Sequence, residues 1–68
     1  MRRTLAAVTD PAGQSFVFIY IGKKKGEQTV IVVTRSGIAR RFNVGSLKDA
    51  RRQTRTMVRE LRTKWGQR

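Results

Sequence analysis

The chain has 68 residues, enough for one small domain but too few for a large core. It has no cysteine and no histidine, which excludes disulfides, the usual zinc sites and thiol chemistry and leaves packing, self-association or a ligand to stabilise it. Sixteen Lys and Arg face four Asp and Glu, a net charge of +12, so an anionic partner is expected, nucleic acid first.

Residues 1–9 read either as a first strand, over Thr4 to Thr9, or as a basic arm. MRRTLAAV has the look of the front of a signal peptide, but its apolar run is short and Asp10-Pro11 interrupts it. No stretch approaches the roughly 18 apolar residues that span a bilayer. The chain therefore reads as intracellular, cytoplasmic or nucleoid-associated, with no membrane partner. Asp10-Pro11-Ala12-Gly13 is a turn signal, with Pro suited to the second position.

SFVFIYI, residues 15–21, is aromatic and β-branched and reads as a strand. It places Phe16, Phe18 and Tyr20 on one face and Val17, Ile19 and Ile21 on the other. GKKKGEQ, residues 22–28, reads as a loop whose Lys23, Lys24 and Lys25 either solubilise a hairpin tip or follow a phosphate backbone. TVIVVTR, residues 29–35, is a second strand, Ser36-Gly37 a tight turn, and IARRFNV, residues 38–44, the returning strand. That turn pairs Val32 with Arg41 and Val30 with Asn43 on one face. It pairs Val33 with Arg40 and Ile31 with Phe42 on the other, the expected helix side.

Ser46 suits a helix cap, with Asp49 three residues on as in a capping box. The helix is expected to reach Lys64 or Trp65 and stop at Gly66. On a wheel, Leu47, Ala50, Thr54, Met57, Val58, Leu61 and Trp65 share an apolar sector. Lys48, Arg51, Arg52, Arg55, Arg59 and Arg62 fall together in the next. A solvated flank normally mixes both signs, and here Glu60–Lys64 is the only favourable acid-to-base pair four apart. The segregation points to an anionic ligand.

The expected architecture is α+β: a three- or four-stranded antiparallel sheet followed by one C-terminal amphipathic helix packed on one face. It forms a single domain over 1–68, with 1–14 as arm or first strand, 15–44 as sheet and 46–65 as helix. One helix covers one face. The other is left apolar, to be closed by residues 1–9 or by a second copy in a homodimer. No catalytic group, metal or cofactor is expected, since the four acids Asp10, Glu27, Asp49 and Glu60 are scattered and there is no His or Cys for acid–base or nucleophilic work.

The junction Val44-Gly45-Ser46-Leu47-Lys48-Asp49-Ala50 resembles that of small β-β-β-α DNA-binding domains, among them the arm-type domain of tyrosine integrases and the plant ethylene-response-factor domain. Val44, Ser46, Asp49 and Ala50 match an apolar residue, a capping hydroxyl, an acid and an alanine. The resemblance implies that the outer sheet face enters the major groove, with Arg41 and Asn43 on bases and Arg35 and the Lys23–Lys25 loop on phosphates. On the expected register Val30 and Val32 share that face, a departure from the polar surface this mode uses. The order of elements is also similar to a single-strand-binding transcriptional-coactivator family, which would use residues 1–9 as a first strand and form a dimer.

The function expected from the residues is a small nucleic-acid-binding protein, DNA ahead of RNA, architectural or regulatory. Lys23, Lys24, Lys25, Arg35, Arg40, Arg41, Asn43, Lys48, Arg51, Arg52, Arg55, Arg59 and Arg62 are its candidate contacts. The alternative is a small interaction module or inhibitor that docks on an acidic surface of a nucleic-acid enzyme.

Overall fold

A computed structural model describes residues 1–22 and 27–66. Four strands, β1 (Arg2–Thr9), β2 (Ser15–Gly22), β3 (Gln28–Thr34) and β4 (Gly37–Asn43), are followed by one helix, α1 (Leu47–Lys64). The sheet is antiparallel throughout, in the order β1-β2-β3-β4. Sheet and helix make a two-layer slab with extents of 37 × 23 × 15 Å.

Local chemistry accounts for the ends of these elements. Asp10 closes the β1–β2 turn: its Oδ1 accepts from Gln14 N at 2.8 Å and its carbonyl from Gly13 N at 2.9 Å. Gly13 holds φ +88, a conformation that favours glycine. At the other end of β2, the Tyr20 ring lies over Gly22, where a Cβ would come within 2.9 Å of it. The Tyr20 hydroxyl donates to Gln28 Oε1, and Gln28 Nε2 donates to Gly45 O at 3.2 Å. This chain ties the β2–β3 end of the sheet to the start of α1.

Ser46 caps the helix, its Oγ accepting from Asp49 N at 3.1 Å. The reciprocal bond comes from Gly45 N to Asp49 Oδ2 at 3.0 Å. Trp65 ends α1, and Gly66 follows with φ +76, the glycine stop expected there. Near that end Trp65 meets Phe16, ring centroids 5.5 Å apart. The helix thus runs from the Tyr20 end of the sheet to the Phe16 end. It lies chiefly over β1 and β2.

The core sits between α1 and the sheet. Phe18 and Val30 are fully buried and Ala50 sits against them, joined by Val8, Tyr20 and Val32 and flanked by Phe42, Leu47, Met57, Val58 and Leu61. Burying a side chain such as Phe18 or Val30 contributes about 1.5–3 kcal/mol. The grouping of Phe16, Phe18 and Tyr20 on one face of β2 is as expected, as is the apolar sector of the helix; that this face of β2 is the inner one is set by the fold.

Two expectations are corrected. The β3–β4 turn is Arg35-Ser36, not Ser36-Gly37, because Thr34 pairs with Gly37. Thr34 Oγ1 accepts from Ser36 N at 3.2 Å, and Gly37 takes φ +119. Beyond the turn, Val33 pairs with Ile38 but Val32 with Arg40, so Ala39 is an extra residue in a bulge. Phe42 therefore faces the helix beside Val30 and Val32. Thr29, Ile31 and Val33, not Val30 and Val32, share the outer face with Arg41 and Asn43.

Residues 1–9 neither form a loose arm nor close the outer face. Arg2–Thr9 is an edge strand paired with β2. A bulge at Leu5 lets Leu5 and Ala6 both join the core and brings Arg3, opposite Tyr20, onto the same face as Val8. Each edge strand thus carries a bulge and an arginine pair, features that discourage edge-to-edge pairing.

Candidate functional site

The basic sector of α1 is exposed along its length, at Lys48, Arg51, Arg52, Arg55, Arg59 and Arg62. Its first part surrounds a shallow hollow with Ser46, Leu47 and Asp49. Its second part is one wall of a groove of about 500 Å³ between α1 and β1. Arg55, Arg59 and Arg62 rise above a floor of Leu5, Ala6, Thr54 and Val58. Arg55 belongs to both hollows, so the positive surface is continuous from the second helical turn to the last.

The acids do not neutralise this surface. Asp10 is bound into its turn and Asp49 into the helix cap. Glu60 lies on the opposite flank of α1, beside Arg40 and Lys64. The one ion pair among the described residues joins Arg52 to Asp49, 2.5 Å apart. Gly45 N–H, then the Arg52 guanidinium, and Gln53 as a further donor hold the Asp49 carboxyl below its ordinary value of 3.8. Arg52 is therefore partly committed to the cap. Arg51, Arg55, Arg59 and Arg62 are the arginines of the stripe that carry no such partner among the described residues.

The other expected contacts do not gather here. Arg41 and Asn43 lie on the outer sheet face, Arg41 beside the acid Glu27 and Ile21, Thr29, Ile31 and Ile38. Arg40 is on the helix side of β4, at the mouth of a gap over Phe16, Phe18 and Met57. Arg35 sits at the far end of the slab, near the β1–β2 turn. Lys23, Lys24 and Lys25 lie outside the described residues.

Sequence reasoning missed Arg2 and Arg3. Register places Arg3 on the helix side of β1, towards the start of α1, and Arg2 on the outer face opposite Ile21. The adjacent pair at a strand start was a visible signal, since neighbours on a strand point to opposite faces. Missing was the knowledge that β1 runs beside the helix stripe. Leu5 and Ala6, the floor of the groove, were missed for the same reason.

Aromatic placement restricts what the surface can bind. Phe16, Phe18, Tyr20, Phe42 and Trp65 all pack into the helix–sheet interface. The outer face offers β-branched side chains and no aromatic ring for base stacking. Among the described residues no cluster of acids could hold a metal, and no helix is long and apolar enough to cross a membrane. Comparison with protein-family models, curated proteins and solved structures finds no match.

Proposed function

We propose that this chain is a small nucleic-acid-binding protein, DNA ahead of RNA, that holds its ligand through phosphate contacts in an architectural or regulatory role. One observation carries the reading: Arg51, Arg55, Arg59 and Arg62 form an exposed row on one flank of α1, while Asp49 is held in the helix cap and Glu60 lies on the opposite flank. Side by side on one helix, like charges repel and destabilise it. A polyanion reverses that penalty. Arg suits the task because its fork makes paired hydrogen bonds to phosphate oxygens. Binding releases counterions, and affinity falls steeply with salt. The buried aromatic rings favour backbone contacts over base stacking.

The alternative, docking on an acidic protein surface, uses the same charge. The outer sheet face gives it some support, since Val17, Ile19, Ile31 and Val33 lie there with no other element of the described residues over them. That face also suits a second copy of the chain. Fluorescence anisotropy with a labelled DNA duplex, from about 50 to 300 mM salt, separates the readings. The proposed function requires binding whose logarithm falls linearly with log salt at a slope near −0.9 per neutralised phosphate. Binding absent even at the lowest salt rejects it.

A further inference from the structure

We infer that the groove between α1 and β1 seats one backbone strand of a nucleic-acid duplex, and that the outer sheet face stays out of the contact. This rests on the proposed function and says where and in what form the ligand is held. Arg55, Arg59 and Arg62 stand along one wall, and the helical rise spaces them about 6 and 4.5 Å apart, a row of about 10 Å in all. A row that long faces three or four successive phosphates, since each strand of B-DNA advances about 3.4 Å per phosphate along the axis. The opposite wall is β1, whose Leu5 and Ala6 give an apolar floor at the foot of the arginines. Sugar edges between phosphates are the apolar part of a backbone and match that floor. Arg3, on the same face of β1, adds positive charge where that strand pairs with Tyr20.

The form of the ligand follows from rigidity and from the missing rings. The arginines share one helix that is packed on the sheet through Ala50, Val58 and Leu61. The points from which they extend are fixed, and a duplex presents its phosphates already spaced. A single strand must be ordered first, at an entropic cost that base stacking normally offsets. No aromatic ring lines this groove. The outer face is a poor rival: Arg41 and Asn43 sit at its β4 edge, and its centre is Ile19 and Ile31.

The test is a titration of isotope-labelled protein with a 12-base-pair DNA duplex, followed by amide chemical shifts, in parallel with anisotropy on an Arg55→Gln/Arg59→Gln/Arg62→Gln variant. Shifts are expected at residues 3–6 and 54–63. The variant is expected to lose tenfold or more in affinity, and its salt slope to become shallower by about 2 to 3. These side chains are exposed, and unchanged circular dichroism shows that the variant is folded. Shifts confined to Ile31, Arg41 and Asn43, or a variant that binds like the parent, overturn the groove and leave nucleic-acid binding intact. Tighter binding of a 12-nucleotide single strand overturns the duplex. Loss of all binding by the parent protein removes both this inference and the function beneath it.

Discussion

Replacing Thr54 with Val should make the protein more stable. Thr54 is only 3% exposed, and its Oγ1 is buried without a hydrogen-bond partner. The comparison lies in the same helix. Thr56 donates to Arg52 O at 3.2 Å and Thr63 to Arg59 O at 3.0 Å, so both satisfy their hydroxyls on the carbonyl four residues back. Thr54 does not. Leaving a buried hydroxyl unmade costs about 1–3 kcal/mol, whereas an apolar group of the same shape carries no such cost. Val and Thr have nearly equal helix propensities, so the backbone term cancels. A net gain of about 1–2 kcal/mol is expected, against a total of about 3–10 kcal/mol for a domain of this length. At about 4–8 °C per kcal/mol for a small domain, the midpoint should rise by about 4–16 °C. Urea and thermal unfolding followed by far-UV circular dichroism measure it. An unchanged or lowered midpoint would refute the reasoning, showing that in solution the hydroxyl finds a partner, with the Ala50 carbonyl the nearest by helix geometry.

Asp49 predicts an acid limb. Its carboxyl titrates below 3.8 in the folded chain, so its contribution is complete above that value and is lost as pH falls through the lower folded value. Asp49→Asn should flatten the stability profile across that window while lowering stability at neutral pH; an equally steep acid limb in the variant would assign it to other groups. The outer face predicts weak self-association. Four strands about 4.8 Å apart and seven residues at about 3.3 Å make a face near 19 × 23 Å, or about 900 Å² from two copies. Stable interfaces exceed about 1,000 Å², so sedimentation should show a dimer only at high concentration. Ile38→Lys, at a side chain 53% exposed, should shift that equilibrium to monomer without unfolding the chain. A parent protein that stays monomeric at millimolar concentration would end the idea.

Much of the architecture was written in the sequence. Apolar spacing in α1, the Ser46 cap and Gly66 marked the helix and its buried face, because each is a property of a few consecutive residues. Alternation in residues 15–21 put Phe16, Phe18 and Tyr20 on one face for the same reason, but with Val17, Ile19 and Ile21 on the other it did not say which face is inward. The segregation of arginines on α1 was equally legible, since a helical wheel needs no knowledge of neighbours.

What lies opposite a residue was not legible. β3 is apolar on both faces, so its own pattern cannot say whether Val30 and Val32 or Ile31 and Val33 point inward. That choice was made by a turn one residue earlier than expected and by the bulge at Ala39, which together shift the pairing by one. The bulge at Leu5 likewise put Arg3 and Val8 on one face although their spacing alone would separate them. Tertiary structure also decided that β1 is an edge strand beside α1, and so turned a basic stripe on a helix into one wall of a groove. Local periodicity reports which side chains share a face of one element. Register, and the elements that meet across it, depend on packing between distant residues, and only the folded chain sets those.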